Sequence, residues 1–170
     1  MQRLLTVVGD ANDINTWSNI PYFFLKAGQA QGFLTAGVSL QCDRWRWPRR
    51  FWNLKSWLTT GEYGGFQYTD TALRSLFSEI QLPNAPIEFI SHFPLLPPQP
   101  WAENWRVNYY IDATLRQNFE DYGFGQAVAS RIQSAALARE TEHYHRADRI
   151  ICMSQSGARS LVQDYGLSPT

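Results

Sequence analysis

Four short segments carry polar residues just after an apolar run, where a parallel strand would end: 9–19, 91–93, 112–114 and 154–157. Ligands of open parallel sheets bind beyond the carboxyl ends of the strands, so these segments are the candidate sites. The first segment begins with a glycine, which lets the backbone turn sharply and approach a ligand. A helix that starts soon afterwards presents free backbone amides. We therefore predict a binding cleft lined by Gly9, Asp10, Asn12, Trp17 and Asn19, with the Trp17 ring as a platform for a sugar.

His92 and Asp112 are the candidate catalytic residues of this cleft. A histidine changes its charge near neutral pH, so His92 at a strand end can donate a proton, polarise a hydroxyl or contact a phosphate. Asp112 can accept hydrogen bonds from sugar hydroxyls, and Thr114 beside it is a further candidate for substrate binding. Each also has a structural interpretation, His92 as a hydrogen-bonding support and Asp112 as a cap on the following segment.

Signatures of several other site classes are missing. The segment 9–12 lacks the glycine spacing of dinucleotide-binding loops, and no P-loop occurs, which disfavours a nicotinamide oxidoreductase. The segment 154–157 lacks the first glycine of a nucleophile elbow and is interpreted as a strand end and helix cap. His143 and His145 are two residues apart and point to different faces of a helix, so they cannot form a metal-binding pair. With Glu140 and Glu142 nearby, a solvated helix end is predicted there. No metal site is predicted.

A run of aromatic and basic residues from Arg44 to Trp57 allows several interpretations. Trp and Arg together bind single-stranded nucleic acid, but 15 basic and 15 acidic residues leave the chain formally neutral, so nucleic acid is not a predicted partner. Tryptophan also stacks on sugar rings. Trp and Arg both favour the membrane interface, so peripheral membrane contact is included among the partners. The remaining interpretation is an amphipathic helix packed against the sheet.

The elements that position these residues alternate between strand and helix. Apolar runs predict strands at 4–8, 33–40, 87–91, 107–111 and 149–153. Helical spacing predicts helices at 21–31, 48–59, 71–80, 126–145 and 156–165. The long fourth helix is expected to carry on one side Val128, Ile132, Ala135, Ala136 and Arg139. The alternation predicts an α/β fold, a single three-layer Rossmann-like domain over 1–170 with a mainly parallel sheet.

Composition restricts the class of protein. A chain of 170 residues with 44% hydrophobic and 18% charged residues fits one ordinary globular domain. Two cysteines are too few for a disulfide scaffold, and the first apolar run is too short for a signal peptide. No stretch approaches the length of a membrane-spanning helix. These features predict a cytoplasmic location.

The last strand and helix resemble a known family. The sequence Ala147-Asp148-Arg149-Ile150-Ile151-Cys152-Met153-Ser154, followed by Ser160-Leu161-Val162 and Tyr165-Gly166, resembles the elements that close the N-terminal domain of family 4 glycosyltransferases. Ser18-Asn19-Ile20-Pro21-Tyr22 resembles the start of their first helix, where acceptor and donor sites meet. Tyr110-Ile111-Asp112-Ala113-Thr114 is similar to their strand end at the interdomain cleft. The segment 41–86 matches no motif.

The resemblance implies a GT-B fold, in which two Rossmann-like domains transfer a sugar from a nucleotide-sugar donor to a carbohydrate or lipid-linked acceptor. Transfer in such a hexosyltransferase would be retaining and would need no metal ion or other cofactor. This chain would be the acceptor-side, N-terminal domain. The donor-binding, C-terminal domain is absent from it and would be supplied on the same or another chain, so the isolated chain is expected to be inactive. The alternative is a non-catalytic sugar-binding or partner module of the same fold.

Overall fold

A computed structural model describes residues 1–40, 45–78 and 80–169 of the chain. Five strands form one sheet: β1 (Gln2–Val8), β2 (Ala36–Leu40), β3 (Ile87–Ser91), β4 (Trp105–Ile111) and β5 (Arg149–Cys152). Every neighbouring pair is parallel, and the strand order is β2-β1-β3-β4-β5. Four consecutive residues of β1, Leu4 to Val7, are buried. This confirms β1 as an inner strand covered on both faces, as its continuous apolar run predicts.

Helices flank this sheet on both faces. They are α1 (Ile20–Ala30), α2 (Arg46–Thr60), α3 (Asp70–Phe77), α4 (Leu115–Glu120), α5 (Ser130–Arg146) and α6 (Gln155–Gln163). Short 3-10 turns occupy Thr16–Asn19, Phe66–Tyr68 and Phe124–Ala127. The predicted fold class is therefore confirmed, as a three-layer α/β domain with a parallel sheet.

The two faces of the sheet carry unequal layers. On one face, Leu25 of α1 packs with Leu5, Val7 and Ile90. The opposite face carries the larger core, to which α3, α4, α5 and α6 all contribute buried side chains. Ile151 of β5 lies on the α1 face and is exposed, so α1 leaves the outer part of that face uncovered.

Several predicted boundaries differ from the structure. The second strand begins at Ala36 because the backbone amides of Phe33 and Leu34 both donate to the carbonyl of Gly28, which closes α1. The fourth predicted helix begins at Ser130, because residues 124–127 form a separate 3-10 turn and Val128 is extended. Ala135 is exposed and does not share the buried side of this helix.

Helix α4 was not predicted from the sequence. Thr114 and Gln117 form a capping box, in which each side chain bonds the backbone amide of the other residue. The pattern Thr-x-x-Gln is visible in the sequence and signals such a start. Thr114, and not Asp112, is therefore the cap of the segment that follows β4.

The interpretation of the aromatic and basic run as a helix packed on the sheet is only partly right. Trp45 and Trp52 turn inward and contact the ring of Phe66. Most other apolar side chains of α2 face solvent. Arg44, the first residue of the run, lies outside the described residues.

Candidate functional site

The strand order identifies one point on the sheet edge where a ligand is expected. The chain leaves β1 towards β2 on one side, and it leaves β3 towards β4 on the other side. The connections therefore diverge between β1 and β3, and at such a switch point a crevice is expected at the carboxyl ends of the two strands. Residues 9–19 and the segment that starts at His92 flank this crevice.

The loop after β1 is fixed by its own backbone. Gly9 has a φ of +112°, and it exchanges two backbone hydrogen bonds with Leu40 at the end of β2. A Cβ atom there would lie 3.0 Å from Cγ2 of Thr16, so both conformation and space require glycine. This geometry explains Gly9 without a ligand, and its contact with a ligand stays a prediction.

Asp10 ties the same loop to β2. Its Oδ1 accepts a hydrogen bond from the backbone amide of Asn12 at 2.8 Å and another from the hydroxyl of Ser39 at 2.7 Å. These two bonds, the first above all, lower the pKa of Asp10. The bonded Oδ1 orders the loop, whereas the side chain of Asn12 is exposed at the crevice.

Trp17 is held in an unusual backbone conformation beside the crevice. Trp17, Ser18 and Asn19 have φ values of 47°, 55° and 65°, a left-handed run in which non-glycine residues are uncommon. The indole N–H of Trp17 donates to the carbonyl of Val8 at 2.5 Å, which fixes the ring at the end of β1. The Trp17 residue is 50% exposed. The sequence-predicted sugar platform is thus an ordered and accessible ring.

The helix that follows starts without a side-chain cap. Asn19 occupies the N-cap position of α1, makes no capping bond and is exposed. Its amide group therefore points to solvent on the same loop as Trp17.

His92 packs against Trp17 and is oriented by β4. The two ring centroids are 6.0 Å apart in an edge-to-face arrangement. Nδ1 of His92 lies 2.8 Å from the carbonyl oxygen of Tyr110, and because a carbonyl can only accept, Nδ1 carries the proton. Burial lowers the pKa of His92, although the bond to Tyr110 and the charge of Asp112 act in the opposite direction. The ring is therefore neutral at pH 7 and keeps a lone pair on Nε2.

Asp112 and Thr114 end up in different environments. Asp112 is exposed and close enough to His92 to influence its pKa, so the two predicted catalytic residues share one part of the sheet edge. Its backbone carbonyl accepts from the Ser154 hydroxyl at 2.7 Å, and Ser154 also caps α6, as predicted for that segment. Thr114 is fully buried, with its hydroxyl bonded to Ser160. The structure gives Thr114 a helix-capping position away from solvent.

The described loops at this edge carry carboxylates but no basic side chain. Residues 9–19, 92–100, 112–114 and 153–154 contain Asp10, Asp13 and Asp112 and neither Lys nor Arg. These four segments therefore offer hydrogen-bond acceptors and amides rather than cations, whereas the segment that follows β2 contains Arg44 and lies outside the described residues. Such a lining suits hydroxyl groups better than phosphates.

The end of α5 departs most from the sequence prediction. Glu140 and His143 are completely buried, whereas Glu142 and His145 are exposed, so the predicted solvated end is wrong for Glu140 and His143. The helix packs this face onto Tyr109 and Tyr165, which supply hydroxyl groups as partners. These partners satisfy Glu140 and Nδ1 of His143, whereas Nε2 of His143 is buried without a hydrogen-bond partner among the described residues.

Glu140 is the centre of this buried polar network. Its Oε1 accepts from the backbone amide of Leu115 at 2.7 Å and from the Tyr144 hydroxyl at 2.8 Å, and its Oε2 accepts from the Tyr165 hydroxyl. Burial outweighs these bonds and raises the pKa of Glu140 to about 7. No solvent reaches this carboxyl group, so the network supports the fold instead of forming a substrate site.

His143 belongs to the same core. Its Nδ1 and the Tyr109 hydroxyl are 2.9 Å apart, and burial lowers the pKa of His143 to about 4. The imidazole is therefore neutral in the folded protein at neutral pH. Helical spacing from Ile132 and Ala136 places both Glu140 and His143 on the buried side of α5, a signal that the sequence prediction missed.

Over the described ranges 1–40, 45–78 and 80–169, no group of three or more His, Cys, Asp or Glu side chains is placed to hold a metal ion. Within the same ranges, no helix has both the length and the apolar character needed to cross a membrane. Comparison of the chain with protein-family models, with curated proteins and with solved structures gives no match.

Proposed function

We propose that the chain is the acceptor-side domain of a retaining GT-B glycosyltransferase and that its crevice binds the carbohydrate part of the acceptor. One observation carries the proposal: the half-exposed indole ring of Trp17 is fixed beside His92 at the switch point of a parallel sheet. An accessible aromatic ring next to polar side chains is the usual composition of a sugar site. The C–H face of a pyranose is apolar, and stacking on indole removes it from water.

The polar side chains around Trp17 complement sugar hydroxyls. Asp112 accepts hydrogen bonds, and the amide groups of Asn12 and Asn19 both donate and accept them. The charges that the described loops contribute are carboxylates, which disfavour an anionic ligand and can accept hydrogen bonds from hydroxyl groups. A neutral saccharide fits this set of groups.

His92 has the protonation state that activation of an acceptor hydroxyl needs. With Nδ1–H bonded to Tyr110, Nε2 can accept a hydrogen bond from an acceptor hydroxyl and orient its oxygen towards the donor sugar. Because the transfer is retaining, the hydroxyl attacks from the side of the leaving phosphate, and that phosphate takes its proton. In this proposal His92 orients and polarises the acceptor hydroxyl, and Asp112 accepts a hydrogen bond from another hydroxyl of the acceptor.

The absence of Lys and Arg from the described loops at this sheet edge supports an acceptor-side role. A nucleotide diphosphate is held by cations, amide clusters or a metal ion, and the described loops at this edge contain no Lys or Arg. The donor would therefore be bound mainly by a second domain. The same lining favours, as a second candidate, a sugar-binding module without catalytic activity.

Nuclear magnetic resonance of the chain labelled with ¹⁵N at tryptophan tests the proposal. The chain is titrated with neutral mono- and disaccharides, with nucleotide-sugars and with NADH. We expect a saccharide to shift the indole resonance of Trp17, nucleotide-sugars to bind weakly, and the variant Trp17→Ala to lose the saccharide response. Trp57→Phe, which changes an exposed ring on α2, serves as the control and is expected to retain it.

Two results would contradict the proposal. The first is a saccharide panel that leaves the Trp17 resonance unmoved while the protein is folded. The second is micromolar binding of NADH, which would indicate a nicotinamide oxidoreductase instead.

A further inference from the structure

Helix α2 carries an apolar stripe on its solvent side. The stripe consists of Trp47, Phe51, Leu54 and Leu58, which are 63%, 70%, 55% and 69% exposed. At about 100° per residue, these four positions lie within about 60° of one another on the helix surface. Spacing of this kind normally marks the side that faces the protein core. Here the side faces outward.

The opposite side of α2 already makes the contacts that attach the helix to the domain. Trp45 and Trp52 place their ring centroids 5.6 and 5.9 Å from that of Phe66. The Ser56 hydroxyl donates to the carbonyl of Glu62 at 2.8 Å and accepts from Arg131 at 2.9 Å. Because these inward contacts are complete, the stripe is available for a partner outside the domain.

Charge on α2 is strongly one-sided although the chain as a whole is neutral. The helix contains four exposed basic residues, Arg46, Arg49, Arg50 and Lys55, and no Asp or Glu between 46 and 60. Arg50 and Lys55 lie on the two sides of the stripe at helical spacing. The Arg50 guanidinium is 5.2 Å from the centroid of the Trp47 ring. Apolar side chains flanked by cations are therefore the outermost groups of this helix.

We propose that α2 docks in the plane of an anionic lipid bilayer, with Trp47, Phe51, Leu54 and Leu58 inserted at the boundary between headgroups and acyl chains. The basic residues at its sides would contact lipid phosphates. Amphipathic helices with Trp, Phe and Leu on one face and Lys or Arg beside it bind membranes in this way. Tryptophan favours the same interfacial zone.

The charges favour a bilayer over two other occupants. A symmetric contact between two copies of α2 would bring both sets of four cations together, which is unfavourable. A nucleic acid would require the cations to be the outermost groups, whereas leucine and phenylalanine occupy that position here. The proposal does not depend on the carbohydrate site, because the membrane-binding residues all belong to α2.

Co-sedimentation of the full chain with lipid vesicles tests the inference. Vesicles of phosphatidylcholine alone are compared with vesicles that also contain phosphatidylglycerol. We expect preferential binding to the anionic vesicles, weakened by salt, with a blue shift of tryptophan emission. The double variant Phe51→Ser/Leu58→Ser is expected to bind the anionic vesicles at least about tenfold more weakly than the unaltered chain. Arg50→Gln/Lys55→Gln is expected to lose the preference for anionic lipid.

Phe23→Ser, which changes an exposed phenylalanine on α1, is the matched control and is expected to bind like the unaltered chain. Circular dichroism and urea unfolding verify that each variant is folded. Equal binding of anionic vesicles by the unaltered chain and the folded Phe51→Ser/Leu58→Ser variant would overturn the proposal. A folded chain that does not bind vesicles would also overturn the proposal. This holds whether that chain forms a dimer through α2, binds a single-stranded oligonucleotide or stays monomeric.

Discussion

Among single residues, Glu140 has the most marked consequence for stability. Its pKa rises from an ordinary value of 4.5 to about 7 in the folded chain because the carboxyl is buried. A raised folded-state pKa means that the protonated form is favoured by folding. The contribution of the protonated Glu140 carboxyl to the stability of the fold is complete below pH 4.5 and is lost as the pH rises through 7. The difference corresponds to about 3 kcal/mol.

The variant Glu140→Gln tests this assignment because glutamine resembles the protonated carboxyl and does not titrate. We expect the free energy of unfolding of the variant, relative to that of the unaltered chain, to increase by about 3 kcal/mol between pH 4.5 and pH 8, because only the unaltered chain loses stability over this range. Urea unfolding at several pH values measures it. The comparison of two proteins is needed because His143, whose pKa is lowered to about 4, contributes in the opposite direction and is common to both. A relative stability that does not change with pH would contradict the prediction.

Sequence reasoning located residues at strand ends but not the contacts between them. The apolar runs before His92 and Asp112 were sufficient to place both at the carboxyl edge, because parallel strands end on the same side. The bond from Trp17 to Val8 joins residues of different elements, and no periodicity encodes it. Glu140 lies four residues after Ala136, so helical spacing indicates its burial, but its bond with Tyr165 joins separate elements and follows from no periodicity.

At the scale of elements, the left-handed run before α1 is a local source of strain. Ser18 has a φ of 55°, is exposed and makes no side-chain hydrogen bond among the described residues. Left-handed backbone costs a non-glycine residue about 1–2 kcal/mol, and glycine avoids most of this cost but loses more entropy on folding. We expect Ser18→Gly to stabilise the chain by about 1 kcal/mol, measured by urea unfolding.

The matched variant Ser18→Ala keeps a Cβ atom and is expected to give no such gain. If both variants had the same stability, the strain would not reside in the backbone of this turn. Stabilisation by glycine would show that the loop presenting Trp17 is held in a conformation that costs free energy, as is frequent where a ligand binds.

Local signals predicted elements better than they predicted partners of those elements. Ser154 caps α6 through the side-chain bond expected from the sequence, and Thr69 caps α3 in the same way. The Thr-x-x-Gln box of α4 was equally local but was not used. For α2, however, the sequence pattern shows an amphipathic helix and cannot show which of its apolar residues face inward.

At the scale of the whole molecule, the alternation of strands and helices predicted a parallel sheet but not the order of its strands. The chain between β2 and β3 includes α2 and α3 and passes behind β1, so β3 pairs with β1 and not with β2. Nothing in the apolar pattern distinguishes this path from a simple sequential order. The switch point, and with it the position of the crevice, became visible only with the topology.

The isolated chain is expected to transfer no sugar, because one sheet edge provides few of the contacts that stabilise a transition state. A radiolabelled-sugar assay with a panel of nucleotide-sugars and saccharide acceptors measures this, with a two-domain glycosyltransferase as the positive control. Steady turnover by the purified chain would show that the crevice binds donor and acceptor together.

The strand order also determines when the sheet can be completed. Arg3 and Glu88 form an ion pair across β1 and β3, although they are separated by 85 residues. On the ribosome, β1 can therefore gain β2 early, but its other edge has no partner until Ser91 has been synthesised. Pairing at such separations makes folding slow, and an open strand edge exposes a nascent chain to aggregation. The strands that flank the crevice, β1 and β3, are thus the neighbouring strands with the largest separation in the sequence, and their pairing is delayed the most.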